Sequence, residues 1–163
     1  MVRFLHTADW QLGMTRRFLS DESQALYTEA RFEAIRAIGR VAKDRGCEFV
    51  VVCGDVFETN QVDRKTVARA LEALGTIEVP VFLLPGNHDP LDAGSIYRQP
   101  TFTQRRPAHV HVLESSAPIE VVPGVEIVGA PWSSKRPLAD LLHRACEALE
   151  PSDSVAPAVA AHG

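Results

Sequence analysis

The chain has 163 residues, 45% hydrophobic and 23% charged, enough for one globular domain with a buried core. Its 17 basic against 21 acidic residues leave a formal charge of −4, which lacks the positive footprint of a typical phosphate binder. Bound divalent cations would reverse the local sign of a site without altering that count. Cys47, Cys53 and Cys146 are odd in number and in no metal-binding spacing, so they read as reduced thiols rather than a disulfide framework. No run approaches the roughly 20 apolar residues that span a bilayer, and no signal-like stretch opens the chain. The expectation is a soluble, cytoplasmic protein with no membrane partner.

Taken in chain order, "VRFLHTA" (2–8) predicts a first strand that runs into Asp9, Trp10 and Gln11. Over 24–45, Leu26, Phe32, Ile35, Ile38 and Val41 recur at helical spacing, and Gly46 follows as a stop. "FVVVCG" (49–54) is an unbroken apolar run, as expected of a strand covered on both faces. A second amphipathic helix spans 64–75, with Val67, Ala70, Leu71 and Leu74 inward. "VPVFLLPG" predicts a third strand, and "HVHVL", "IEVV" and "VEIVGA" a more antiparallel group. A last helix is predicted over 138–149, a polar surface loop over 150–158, and the start of another strand in "PAVAAHG".

Alternating strands and helices imply α/β architecture with a parallel sheet and right-handed crossovers. In such sheets chemistry gathers at the carboxyl ends of the strands. Three blocks fall there: Asp9, "GDVFE" (54–58) and "GNHD" (86–89), with His162 near the end of the chain. Asp9 and Asp55 offer carboxylates, Asn87 an amide oxygen, and His88 and His162 imidazoles. Gly54 and Gly86 remove bulk where the backbone turns at the site. Converging buried carboxylates ask for cations between them. Mixed oxygen and imidazole donors suit Mn, Fe or Zn better than Mg or Ca, as a pair about 3.5–4 Å apart.

These blocks, in this order, resemble the calcineurin-like metallophosphoesterase superfamily. "HTADWQLG", "GDVFE" and "LPGNHDP" are most similar to its bacterial double-strand-break repair exonucleases, the SbcCD-type nuclease subunits. The resemblance implies a layered sandwich of mixed sheets flanked by helices, with one metallophosphoesterase core over 1–163. It implies Asp9 as a ligand of a first metal, Asp55 as the carboxylate bridging two, and Asn87 and His162 as ligands of the second. His88 takes the place of the catalytic histidine. The implied activity is two-metal hydrolysis of DNA phosphodiesters, with Mn2+ expected and Fe or Zn as alternatives. The implied partners are DNA, an SMC-like ATPase, and a second copy, for which the helix at 24–45 is the candidate element; a core-packing helix explains its pattern equally well.

Two features depart from the pattern. Gln11 stands where the family has His, which predicts a substitute ligand and a weaker first metal site. The chain also stops at "HG", before the family's Gly-His-x-His block and cap domain, so a core truncated on its C-terminal side is expected. Two rival readings stand beside the nuclease: a phosphoesterase for a small substrate, which the acidic balance favours, and a weakened core that serves as a binding module, which these departures motivate. "YRQPTFTQRRPAH" (97–109) interleaves basic and aromatic residues, so Arg98, Arg105 and Arg106 are candidate phosphate contacts against the alternative of a solvated loop. Trp10 is read as packing beneath the first loop, His6 as a hydrogen-bonded strand residue, Asp89 as ordering its turn, and His109 and His111 as plain strand histidines.

Overall fold

The computed structural model describes residues 1–147, 149 and 156–162. Strands β1 (Phe4–Thr7), β2 (Phe49–Cys53), β3 (Val81–Leu84) and β4 (Val110–Val112) form a sheet in the order β1-β2-β3-β4. Every neighbour is parallel, with Phe4 opposite Phe49, Val50 opposite Val81 and Val81 opposite Val110. Strand order therefore equals chain order. With right-handed crossovers, the connecting helices α1 (Asp21–Asp44), α2 (Arg64–Leu74) and α3 (Pro100–Thr103) must all lie on one face.

The alternation of β2 distributes its side chains between two cores. Val50 and Val52 pack with Phe32, Ile35, Leu71, Leu74 and Phe102 of the helices. Phe49, Val51 and Cys53 point the other way, to Phe82, Leu84, Leu113, Ile127 and Ala160. All five β2 residues are buried, as the unbroken apolar run predicts. Each large side chain so buried contributes about 1.5–3 kcal/mol.

The second core is closed by a sheet of β5 (Ile119–Val122), β6 (Val125–Gly129) and β7 (Ala156–Ala160), in the order β5-β6-β7. β5 and β6 are antiparallel, whereas β6 and β7 are parallel. On its outer side, Val128 and Ala130 meet Ala145 of α4 (Leu141–Glu147). The layers are helix, sheet, sheet, helix, the expected α/β sandwich with mixed sheets.

Several details differ from the expectations. "HVHVL" supplies β4, which joins the first sheet in parallel instead of an antiparallel group. Alternating polarity marks a strand with one wet face but does not encode its direction. β1 is an edge strand with Phe4 45% exposed. His6 is likewise exposed, and its side chain makes no hydrogen bond among the described residues. The strand expected in "PAVAAHG" is β7, which starts one residue earlier at Ala156 and so takes 156–158 out of the expected loop; the rest of that loop (150–155) lies outside the described residues. α1 begins at Asp21 because Ser20 caps it, accepting from Ser23 N.

α2 is capped by Asp63, whose side chain accepts from Thr66 N at 2.8 Å. That bond holds the Asp63 carboxyl below the usual aspartate range. A depressed carboxyl stabilises the fold above its unfolded pKa, and the contribution fades as pH falls through the folded value. Asp63→Ala is expected to cost about 1 kcal/mol at neutral pH, read as a lower urea midpoint. The difference from wild type should shrink in acid.

Candidate metal centre

Among the described residues, three without the freedom of glycine adopt left-handed backbone: Asp9 (φ 55°), Gln11 (φ 44°) and Asp55 (φ 54°). Asp visits this region more readily than most residues, whereas Gln has no such excuse. Strain of this kind costs about 1–3 kcal/mol per residue and concentrates at functional sites. All three follow the carboxyl ends of β1 and β2. There the parallel pairing continues beyond the strands: Asp9 N donates to Gly54 O (3.1 Å), Gln11 N to Asp55 O (2.8 Å) and Leu12 N to Val56 O (2.9 Å). The left-handed kinks break the simple alternation and let two loops deliver acids to one place.

Asp55 is 2% exposed. Its Oδ1 accepts from His88 N at 3.0 Å, tying the loop after β2 to the loop after β3. Gly86 permits that approach, since a Cβ there would lie 2.2 Å from Asp55 Oδ1 and 2.5 Å from Asp55 N. Gly54 does the same for the third contributor: its Cβ would lie 2.2 Å from His162 Cγ. The two glycines act as the sequence suggests.

His162 arrives from the end of β7. Its Nδ1 lies 2.9 Å from Cys53 O, an acceptor only, so Nδ1 carries the proton. Its Nε2 faces Asn87 Oδ1 (3.0 Å) and Asp55 Oδ2 (3.4 Å). Asp9, Asp55 and His162 each bring a ligand atom within 4.8 Å of the others. Carboxylate, amide oxygen and imidazole nitrogen thus converge on one place, and with Nε2 unprotonated all of them would offer lone pairs to a cation. The donor set fits a divalent first-row metal, and the carbonyl behind His162 fixes its tautomer as in known metal sites.

His88 stands beside this cluster. Nδ1 is 3.0 Å from Glu58 O, while Nε2 is 3.9 Å from Asp55 Oδ2. The ring is about one-third exposed and can reach a bound molecule. Cys53 turns its side chain away, into the apolar core with Phe82, Leu84 and Leu113, where burial pushes its thiol up to about 11.

Asp89 serves as scaffold. Its Oδ1 accepts from Gly86 N (2.8 Å), and its Oδ2 accepts from Phe57 N (3.0 Å) and Tyr97 Oη (2.5 Å). Burial raises the Asp89 carboxyl above its ordinary range, and these three donors oppose that shift. Tyr97 received no such role from the sequence, because the link is a side-chain contact between residues eight positions apart in the irregular segment after β3. Tyr97→Phe is expected to cost about 1–3 kcal/mol, measured by urea denaturation, since one oxygen of a buried carboxylate loses a donor. Trp132 is a second unforeseen support. Its Nε1 donates to His162 O at 3.2 Å, and its ring stands edge-on to the imidazole.

The remaining candidates scatter. Gln11 joins the centre through its backbone bond to Asp55. Trp10 is buried and donates to Thr7 Oγ1, in line with packing. Arg98 pairs with Glu114 at 3.4 Å, just past β4, on the same edge of the sheet as the centre. Arg105 and Arg106 are exposed and lead into the amino end of β4, the opposite edge. The aromatic partners in that segment, Tyr97 and Phe102, are core residues. His109 bonds Leu74 O and His111 stacks on Phe82, so neither belongs to a metal group.

A family model described as calcineurin-like phosphoesterase matches residues 2–142. The chain is 31% identical over 91 residues to the DNA double-strand break repair protein Mre11 of Archaeoglobus fulgidus, covering 54% of this chain and 19% of that protein. It is 32% identical over 91 residues to the protein of the same description from Methanococcus maripaludis, covering 54% of this chain and 23% of that one. One of the subunits of the nuclease SbcCD of Bacillus subtilis is 32% identical over 97 residues, 54% of this chain and 22% of the relative. The matches therefore span 19% to 23% of these relatives' own length. A solved structure, the nuclease MPE of Pseudomonas putida, aligns with TM-score 0.40 and 19% identity, covering 78% of this chain and 54% of that one.

Proposed function

The chain belongs to the calcineurin-like phosphoesterase family, and from that premise we propose that it is a divalent-metal-dependent phosphodiesterase acting on DNA. The observation that carries this reading is the meeting of Asp9, Asp55 and His162 within 4.8 Å, with Asn87 Oδ1 3.0 Å from His162 Nε2. The choice of DNA rests on the relatives, which are named as a DNA double-strand break repair protein and as a subunit of a nuclease.

In this reading Asp9 and Gln11 would hold a first ion, Asn87 and His162 would hold a second, and Asp55 would serve both. Mn2+ is the expected ion, with Fe or Zn as alternatives. Such ions, when bound, polarise a phosphoryl oxygen and lower the pKa of water. The protein's own part is to fix the donors. Cys53 O orients His162, His88 N holds Asp55, and the left-handed kinks bring the first acid in. His88 donates Nδ1–H to Glu58 O; with a second proton on Nε2, the imidazolium would offer that N–H to the oxygen atoms of a phosphate bound beside Asp55. His88 is the proposed catalytic residue, stabilising charge or protonating the leaving oxygen. Arg98 stands on the edge where a DNA strand would enter, while Arg105 and Arg106 could touch a backbone only away from the cleaved bond.

Gln11 in place of an imidazole weakens the first ion's hold. An SMC-like ATPase partner, a cytoplasmic location and a homodimer through α1 complete the proposal. Exposed Leu26 and Val41 on α1 support the last of these. No helix among the described residues is long and apolar enough to cross a membrane. The net charge of −4 favours a second reading, a small phosphodiester as substrate.

Rates on duplex DNA and on bis-p-nitrophenyl phosphate, each with Mn2+ and with chelator, decide between them. Chelator-sensitive cleavage of DNA supports the nuclease. Turnover of the small ester alone supports the second reading, and no turnover of either contradicts both.

A further inference from the structure

We infer that Arg31 is a positioning residue for the first half of the metal centre, an inference that rests on the metal reading above. It lies on α1, 22 positions after Asp9 in sequence. Its Nη1 donates to Trp10 O and approaches Gln11 O at 3.4 Å.

The peptide unit joining Trp10 to Gln11 is the critical one. Its carbonyl is held by Arg31, and its N–H donates to Asp55 O at 2.8 Å. The segment is strained, with Asp9 and Gln11 both left-handed. The natural escape from a positive φ is rotation of the preceding peptide plane. With both ends of that plane clamped, rotation is blocked and Gln11 keeps φ 44°. The direction in which the residue 11 side chain leaves the backbone is thereby set by Arg31 and Asp55 together.

Arg31 is itself fixed for the task. Its guanidinium lies 4.6 Å from the centre of the Tyr27 ring, and Nη2 contacts both Tyr27 Oη and Met14 Sδ. Its Nε is buried without a hydrogen-bond partner among the described residues. The ion pairs of this helix use other residues: Arg36 with Glu29 and Glu33, Lys43 with Glu78, and Glu29 with Arg69. The charge of Arg31 is thus directed at backbone carbonyls, which a residue placed for solubility would not do.

The test uses the whole chain as wild type, Arg31→Met and Arg31→Lys. Met keeps the length of the side chain and loses every donor, whereas Lys keeps one. Amide hydrogen exchange of Gln11 and Leu12 is measured without metal, with Val50 to Val52 as internal reference. Mn2+ affinity is measured by calorimetry. For Arg31→Met, faster exchange at Gln11 and Leu12 is expected against an unchanged reference. Mn2+ affinity is expected to fall on the order of 10-fold, the low end for loss of a supporting partner. Arg31→Lys should recover part of both, and it carries the test if the Met variant does not fold. Wild-type exchange and affinity in a folded variant would overturn the role of Arg31 while leaving the metal reading intact. A wild-type chain that binds no Mn2+ would overturn both, whatever the exchange shows.

Discussion

Asp55→Asn is expected to abolish Mn2+-dependent phosphodiester hydrolysis while leaving the fold standing. Asp55 lies at the crossing point of the centre: its Oδ1 accepts from His88 N at 3.0 Å, and its Oδ2 faces His162 Nε2 at 3.4 Å. An Asn side chain keeps an oxygen for the His88 amide, so the two loops stay joined. What it removes is the negative charge and the second lone-pair oxygen that a shared ligand must supply. The loss should exceed the roughly 100-fold at the top of the range for outer partners. Without metal the variant should melt no lower than wild type, since a buried charge has been neutralised. With Mn2+ present, wild type should gain stability by binding, and Asp55→Asn should not. Activity within 10-fold of wild type would remove Asp55 from the chemistry.

Gly86→Ala is expected to damage both fold and site. The added carbon would sit 2.2 Å from Asp55 Oδ1 and 2.5 Å from Asp55 N. The carboxylate could swing away, but the backbone nitrogen cannot move without shifting the loop after β2. Overpacking of this kind costs about 1–3 kcal/mol, occasionally more, and here the strain falls on the ligand itself. A lower urea midpoint and weaker Mn2+ binding should appear together. Gly94→Ala is the control, because its added carbon would meet nothing nearer than Asp92 Oδ1 at 3.6 Å. That variant should match wild type in both measurements.

The parts of this protein that were legible in the sequence are those with local causes. An unbroken apolar run marked β2, helical spacing marked α1 and α2, and Gly beside Asp or Asn at strand ends marked the places of the centre. Strand direction was not legible: "HVHVL" has the period of a strand, but its parallel seat beside β3 follows from the α3 crossover. Tyr97 and Phe102 looked like surface aromatics among arginines, yet a 3-10 turn and a short helix fold them into the core. Contacts that cross the chain left no local trace. The bond of Tyr97 to Asp89, of Trp132 to His162 and of Arg31 to Trp10 each joins residues whose types alone suggest nothing. The left-handed backbone of Gln11 was equally hidden, since Gln carries no preference for it.

The central claim is that Asp9, Asp55, Asn87 and His162 converge to hold metal. Crystals of the protein soaked in Mn2+ and measured at the manganese edge test it most directly. Anomalous density between the Asp9, Asp55 and His162 side chains is expected, as two peaks with Asp55 between them. A single peak on Asn87 and His162 would show that Gln11 leaves the first position too weak to fill. No anomalous density at these residues, in crystals that take up manganese elsewhere, would contradict the metal centre itself.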